Sequence, residues 1–321
     1  MKNVLITGGL GFIGSNLAIQ YIKKGFNVTV YDNFDKYSGS NQYNLNGYKK
    51  NIRIVRGDIL NFNLLKKNIK KNSLIINCAA STSHIQSMNN PLANLDVNIK
   101  GVINILEAIK QLNLDIKYIQ IGTTTQIGKL IQKNANEIHP EFPRDIYSAN
   151  KMIAEKYVDI YSNTYGINSF TIRLPNTYGP RASINNPDLT FNNFFIGQSL
   201  QKKTIKVYGK GNQIRNTLYV DDCVDAIYKI SKLNVKNHEV FICSSDHHYK
   251  LSHIASRTAK IFGGKVNFIK WPKNAISKEI GDAILSNKKI KSFVNCRLNT
   301  TLDKGLELSK EYFLKNYKYY L

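Results

Sequence analysis

Cysteine is scarce and scattered in this chain. Cys78, Cys223, Cys243 and Cys296 form no CxxC pair, which argues against a structural metal site or a disulfide scaffold. No metal is expected, and a reducing, cytoplasmic setting is. Long apolar runs are missing too: none approaches the ~18–20 residues that cross a bilayer, so no membrane insertion is expected. A strand-like run, Val4-Leu5-Ile6, begins almost at once and leaves no room for a secretory leader. Acidic residues are few, 22 against 45 Lys and Arg, for a net charge of +23. A basic surface attracts phosphates, but the lysines are spread along the chain among frequent Asn and Ile, and no basic block alternates with aromatics. Compositional bias explains that pattern better than a nucleic-acid surface, and no nucleic-acid partner is expected. The positive field still favours a small anionic substrate. Neither an internal repeat nor a low-complexity linker is present.

What is there is an alternation of short apolar runs and amphipathic segments. Strands are predicted at Asn3–Thr7, Asn27–Tyr31, Ile52–Arg56, Leu74–Asn77, Lys117–Gly122 and Ser169–Arg173, and helices over 14–24, 61–70, 92–112 and 146–165. This order implies α/β architecture, a doubly wound parallel (Rossmann) sheet with right-handed crossovers. Beyond Pro175 the pattern loosens before a helical run at 191–201 and a late strand at Val240–Ser244. The expected division is a dinucleotide-binding unit over 1–174, to which 216–246 returns, and a smaller α/β substrate-binding lobe from 175–215 and 247–321.

The stretch TGGLGFIGSN (7–16) follows the first strand and opens the first helix. It satisfies both GxGxxG and GxxGxxG, through Gly9 or Gly8 with Gly11 and Gly14. Such a turn lets backbone approach a pyrophosphate at the positive end of a helix. Gly8, Gly11, Phe12, Ile13 and Gly14 are the expected cofactor contacts from this turn. Asp32, followed by Asn33, falls at the end of the second strand, where a carboxylate holds ribose hydroxyls and repels a 2′-phosphate. NAD is therefore expected over NADP. Asp-Asn is also a turn signal, the plainer account of Asp32. RGDI (56–59) offers Asp58 and Ile59 to the adenine.

Tyr147 and Lys151, four residues apart in DIYSANK, share one helical face. In isolation this is an ordinary solvated pair. Beside a dinucleotide site it becomes a phenol with an ammonium one turn away. A phenolate at neutral pH needs its pKa lowered by about 3 pH units, or about 4 kcal/mol, which the ammonium and a cationic nicotinamide together can provide. IGTTTQIG (121–128) supplies a hydroxyl at a strand end, the usual ligand edge of such sheets. Spacing alone leaves Thr123, Thr124 and Thr125 open.

Together, TGGxGxxGSN, the strand-end Asp, GDI, the Thr-bearing strand end, YSxxK and LYVDD (218–222) resemble the extended short-chain dehydrogenase/reductase family, in its nucleotide-sugar epimerase and dehydratase group. The resemblance spans essentially the whole chain. It implies Thr124 as the catalytic hydroxyl, Tyr147 as the proton-transferring group and Lys151 as its electrostatic partner. Asn98 matches a family asparagine, and Ala79 and Ala80 in NCAAS (77–81) match a loop near the cofactor's ribose and phosphate. In RLPNTYGPR (173–181) and IKVYGKGNQIRN (205–216), Asn176 and Arg215 match diphosphate contacts and Tyr208 a base-stacking aromatic. Lys278 stands near the position of a further family arginine, and Asn216 where the family has Asp.

Family dehydratases carry Asp-Glu directly after the catalytic threonine. Here, counting from Thr124, Thr125 and Gln126 follow, and an amide cannot act as a general acid or base. Gln126 is accordingly grouped with the substrate contacts. The expected function is NAD-dependent epimerisation of a nucleotide sugar, inverting C4 of a UDP-hexose through a 4-keto intermediate. The nearest enzymatic alternatives are a 4,6-dehydratase or a 4-keto reductase. From other classes come a non-catalytic nucleic-acid binder and an NAD sensor. A homodimer paired through the helices near 92–112 and 146–165 is implied by the resemblance.

Overall fold

The computed structural model describes residues 2–320 apart from 114, 273–275, 277 and 278. Its first strands are short and bounded by turns, and all but the edge strand at 52–56 are largely apolar and buried, which is how central parallel strands read in sequence. They are β1 (Asn3–Thr7), β2 (Asn27–Asp32), β3 (Ile52–Arg56), β4 (Leu74–Asn77), β5 (Lys117–Thr123) and β6 (Ser169–Leu174). A later strand, β10 (Glu239–Ile242), pairs in parallel with β6 and completes a seven-stranded sheet ordered β10-β6-β5-β4-β1-β2-β3. All its pairings are parallel. The order reverses at β1, between β2 and β4, and a crevice opens at such a switch point on the C-terminal ends of the strands.

Helices cover both faces of the sheet. On one face α1 (Phe12–Lys23) packs against α8 (Val220–Ile230), and on the other α2 (Phe62–Ile69) packs against α5 (Gly101–Leu112). The predicted helix over 92–112 is broken into α4 (Pro91–Leu95), a turn of π-helix at Asp96–Lys100, and α5. Single π turns of this kind are frequent at functional sites. The helix α6 (Ile146–Tyr165) starts on an Asp145 cap, whose Oδ1 accepts from the Ser148 amide at 2.8 Å, and stops at Gly166 in the left-handed region.

The remaining strands form two small sheets that the sequence pattern did not announce. In one, β9 (Ile214–Tyr219) lies between β7 (Asn176–Tyr178) and β11 (His248–Lys250); in the other, β8 (Thr204–Tyr208) pairs with β12 (Lys265–Ile269). The helices α7 (Phe191–Leu200) and α9 (Leu251–Phe262) pack against each other and against β8. Among the described residues no helix is long and apolar enough to cross a membrane.

Candidate active site

One cavity of about 490 Å³ runs along the C-terminal ends of β1 to β6. Its floor at one end is the glycine turn. Gly8 has φ +64°, and a Cβ there would lie 2.7 Å from the Ala79 amide nitrogen. A Cβ on Gly14 would stand 2.3 Å from the Gly8 carbonyl. Strand and helix therefore meet closely enough that only glycine fits, leaving backbone at the cavity surface. Gly8, Gly11, Phe12, Ile13 and Gly14 all line it.

Asp32, Asn33, Asp58, Ile59, Ala79 and Ala80 line the same cavity. The Asp32 carboxylate also organises the turns around it: Oδ2 accepts from the Leu10 amide at 2.9 Å, and Oδ1 from the Phe34 amide and the Ser40 hydroxyl. Turn residue and cavity residue are thus one and the same here. Asp58 is held by Leu60 and Asn33, whose Nδ2 donates to its Oδ2 at 3.1 Å.

Tyr147, Lys151 and Thr124 share the opposite end of the cavity. Thr123, the last residue of β5, and Thr124 both line that end of the cavity, and the Thr123 hydroxyl accepts from the Thr125 amide at 3.2 Å. The backbone leaves the extended strand after Thr123 and turns into a 3-10 turn, so consecutive side chains diverge. Lys151 lies one turn along α6 from Tyr147. Its Nζ donates to the Ile121 carbonyl, and burial pushes the phenol up to about 12, against the Thr123 hydrogen bond and with the Asp145 charge. The ammonium is itself brought down to about 8 by burial, against the pull of Cys78 and Glu155.

Asn98 and Gln126 are not among the cavity-lining residues. Asn98, on the π turn, accepts from the Ser81 amide at 3.2 Å and donates to the Ser81 carbonyl at 2.8 Å, so it fixes the loop that carries Ala79 and Ala80. Gln126 is fully buried and donates to Glu141 and Glu155. These two carboxylates bind Arg173, itself 2% exposed, whose Nε donates to Glu155 Oε2 at 2.9 Å. That charged group explains the amide: a nonpolar side chain would give the carboxylates no donor.

Of the substrate contacts expected from 175–215 and 247–321, Asn176 is the one among the described residues that lines the cavity, beside Thr177, Ser183 and Asn193. Tyr208, 39% exposed, lies off the cavity wall with its ring 5.4 Å from that of Trp271. Arg215, also off the wall, is on β9, and its Nη2 donates to Glu279 at 2.7 Å. Lys278 lies outside the described residues. Asn216 is buried and binds the 245–248 segment, accepting from the Ser245 amide and donating to the Ser245 carbonyl, both at 2.9 Å.

Sequence reasoning missed His84, which lines the cavity and pairs with Asp145. Its only advance signal was an isolated histidine in a loop, which spacing rules do not detect.

Parallel order, strand-end crevice, glycine turn and a cavity-lining Tyr–Lys pair define a Rossmann-fold protein of the short-chain dehydrogenase/reductase type. Comparison with known proteins narrows this. A family model described as GDP-mannose 4,6 dehydratase matches residues 5–294. A protein of Methanocaldococcus jannaschii, provisionally named UDP-glucose 4-epimerase, is 31% identical over 240 residues, covering 74% of this chain and 76% of that relative. UDP-glucuronic acid decarboxylase 1 of Xenopus tropicalis is 26% identical over 323 residues, covering 98% of this chain and 72% of that one. Among solved structures, the UDP-glucuronic acid 4-epimerase of Bacillus cereus, in complex with UDP-glucuronic acid and NAD, superposes with a TM-score of 0.87 at 25% identity, covering 98% of this chain and 100% of that one. The chain belongs to the nucleotide-sugar epimerase/dehydratase family of extended short-chain dehydrogenases/reductases.

Proposed function

We propose that this protein is an NAD-dependent nucleotide-sugar epimerase that inverts C4 of a UDP-linked hexose through a transient 4-keto sugar. The observation that carries the proposal is the company Tyr147 keeps. Thr123, Thr124, Thr125 and His84 line that end of the cavity, whereas its lining carboxylates, Asp32, Asp35 and Asp58, follow β2 and β3. With Thr124 as the catalytic hydroxyl, the two residues after it are Thr125 and Gln126. Neither ionises at physiological pH, so the paired acid and base that the family's dehydratases use to eliminate water are missing.

The close Gly8–Gly14 approach and the cavity-lining Asp32 fit NAD, and Asp32 disfavours the 2′-phosphate of NADP. When bound, NAD supplies a hydride acceptor and donor and a positive charge. The chain supplies the rest. Thr124 orients the C4 oxygen, Tyr147 takes its proton and later returns it, and Lys151 holds the nicotinamide ribose. Because Tyr147 is a weak acid in the protein alone, proton removal is coupled to the cofactor's charge. Asn176 takes the sugar diphosphate. Arg215 joins it by exchanging Glu279 for phosphate, and Tyr208 receives the base.

In this proposal residues 1–174 and 216–246 form the cofactor unit, and 175–215 with 247–321 the substrate lobe. Two copies associate through α4 and α6, which carry exposed apolar side chains including Leu92 and Ile160.

Incubating purified protein with NAD and a panel of nucleotide sugars, and following products by NMR, tests the function. The expected product is the C4 epimer with no net NADH. A stable 6-deoxy-4-keto sugar, or stoichiometric NADH, overturns it.

A further inference from the structure

Tyr147 shares its end of the cavity with an ionisable side chain that the scheme above leaves idle. His84 opens the short helix α3 (His84–Asn89), and its Nδ1 lies 2.7 Å from Asp145 Oδ2. Its ring stands edge-on to that of Tyr147, with centroids 5.0 Å apart and planes at 82°. Asp145 is two residues before Tyr147 and caps the same helix. The cap alone needs no imidazole, because Asp145 Oδ1 already accepts the Ser148 amide.

With Nδ1 committed to the carboxylate, Nε2 points away from it on the other side of the ring. Among the described residues Nε2 has no hydrogen-bond partner in the protein. The His84 side chain is 40% exposed and the Asp145 side chain 12%, so of the pair it is the imidazole that ligands can reach. Burial pushes the Asp145 carboxyl up, but the His84 hydrogen bond and charge and the Ser148 contacts outweigh it and hold it below the ordinary carboxylate range. Asp145 therefore stays ionised and keeps the ring in one orientation.

Resting on the nucleotide-sugar reading of this cavity, we infer that His84 is a sugar-contacting residue, whose Nε2 hydrogen-bonds a ring hydroxyl flanking the carbon that Tyr147 serves. Asp145 is its positioning residue. The consequence is specificity for the sugar rather than for the nucleotide. The paired imidazole binds a hydroxyl, and a sugar lacking that hydroxyl leaves the pair unmatched.

The test uses the full chain saturated with NAD and labelled at histidine Cε1, with the His84 resonance assigned by its loss in His84→Gln. The probes are UDP, dTDP, CDP and GDP, each alone and as its glucose conjugate. The expected result is that a sugar conjugate moves the His84 resonance and its parent diphosphate does not. A diphosphate that moves it equally, or a conjugate that binds without moving it, overturns the inference and leaves the functional reading intact. If none of the eight probes binds, the functional reading falls and this inference with it.

Kinetics with whichever conjugate is turned over gives a second readout. His84→Asn keeps an amide near the Nδ1 position but cannot reach the cavity, so kcat/KM falls about 10–100-fold. His84→Gln, which places an amide near the Nε2 position, recovers part of that loss. Equal losses in the two variants at unchanged thermal stability overturn the assignment.

Discussion

Burial disfavours the charged forms of Tyr147 and Lys151 on α6, and that makes their roles measurable. Tyr147→Phe keeps the ring and loses only the proton carrier. It should lower kcat by about 10²–10⁴-fold while NAD affinity, measured by calorimetry, stays the same. An NAD sensor would show the same binding but no sugar turnover in the parent protein. Thr124→Val should cost about 10²-fold in kcat and Thr123→Val less than tenfold, because only the hydroxyl at the catalytic position orients the reacting oxygen. The reverse order would move the catalytic role to Thr123.

Lys151 carries a stability signature as well. Its pKa falls from 10.5 in the unfolded chain to about 8 in the folded one. Between those values the unfolded state binds more protons, so its contribution to stability rises with pH across that window. Below about 8 the buried ammonium costs stability, on the order of 3 kcal/mol for such a shift. Lys151→Met removes the charge and keeps the length. In urea titrations of the cofactor-free protein it should raise stability at pH 7 by about 1–2 kcal/mol and flatten the pH 8–10.5 dependence, while abolishing turnover. A variant less stable than the parent at pH 7 would mean that the lost bond to the Ile121 carbonyl outweighs the relieved charge.

Between elements, the buried charges tie β6 to α6 and to the 137–141 segment. Arg173, on β6, donates to Glu155 on α6, to Glu141, and to the Glu137 carbonyl. Burial pushes the Glu155 carboxyl up, but hydrogen bonding and charge from Arg173 hold it below the usual range. Its contribution is thus present above the ordinary carboxylate pKa and lost as pH falls through the lowered one. Arg173→Leu should destabilise the protein by about 3–5 kcal/mol at pH 7, because it leaves two carboxylates nearly unpaired. The penalty should shrink on acidification as they protonate, which urea midpoints at pH 5 and 7 would show.

The same elements show what was legible in the sequence. The predicted bounds of β1, β3, β4 and α6 coincide with the observed ones: β1 and β4 are buried apolar runs, the edge strand β3 mixes Ile and Val with Arg, and α6 carries an Asp cap and a terminal Gly. The paired strands β7 and β11 have three residues each, and their partner β9 is remote from β7 in the chain, so no local period announces them. The glycine turn and Asp32 were legible because the backbone itself demands them. Thr123 was not separable from Thr124, because a one-residue shift at the end of a strand depends on where the turn begins. Tyr208 and Arg215 were legible as residue types, but their distance from the cavity reflects the arrangement of the second lobe, which no local pattern encodes.

For the assembled protein the question is what covers the apolar side chains that remain outside. On α4, Leu92 is 72% exposed and Leu95 40%; on α6, Ile153 is 38% exposed and Ile160 57%. These two helices pack against each other, so the four residues lie on neighbouring elements rather than singly over the surface. A second copy is the proposed occupant, because a two-fold axis along these helices lets the same patch cover itself. Such an interface is compatible with so cationic a chain: Leu and Ile carry no charge, and burying them offsets the repulsion of two bodies each at +23. Sedimentation at micromolar concentration should then give a dimer that tightens with added salt, since screening weakens the repulsion and leaves the apolar contact. Combining Leu92→Lys with Ile160→Lys should yield a monomer that still binds NAD, because neither residue lines the cavity. A parent protein that sediments as a monomer at every salt concentration would leave the patch without its proposed partner.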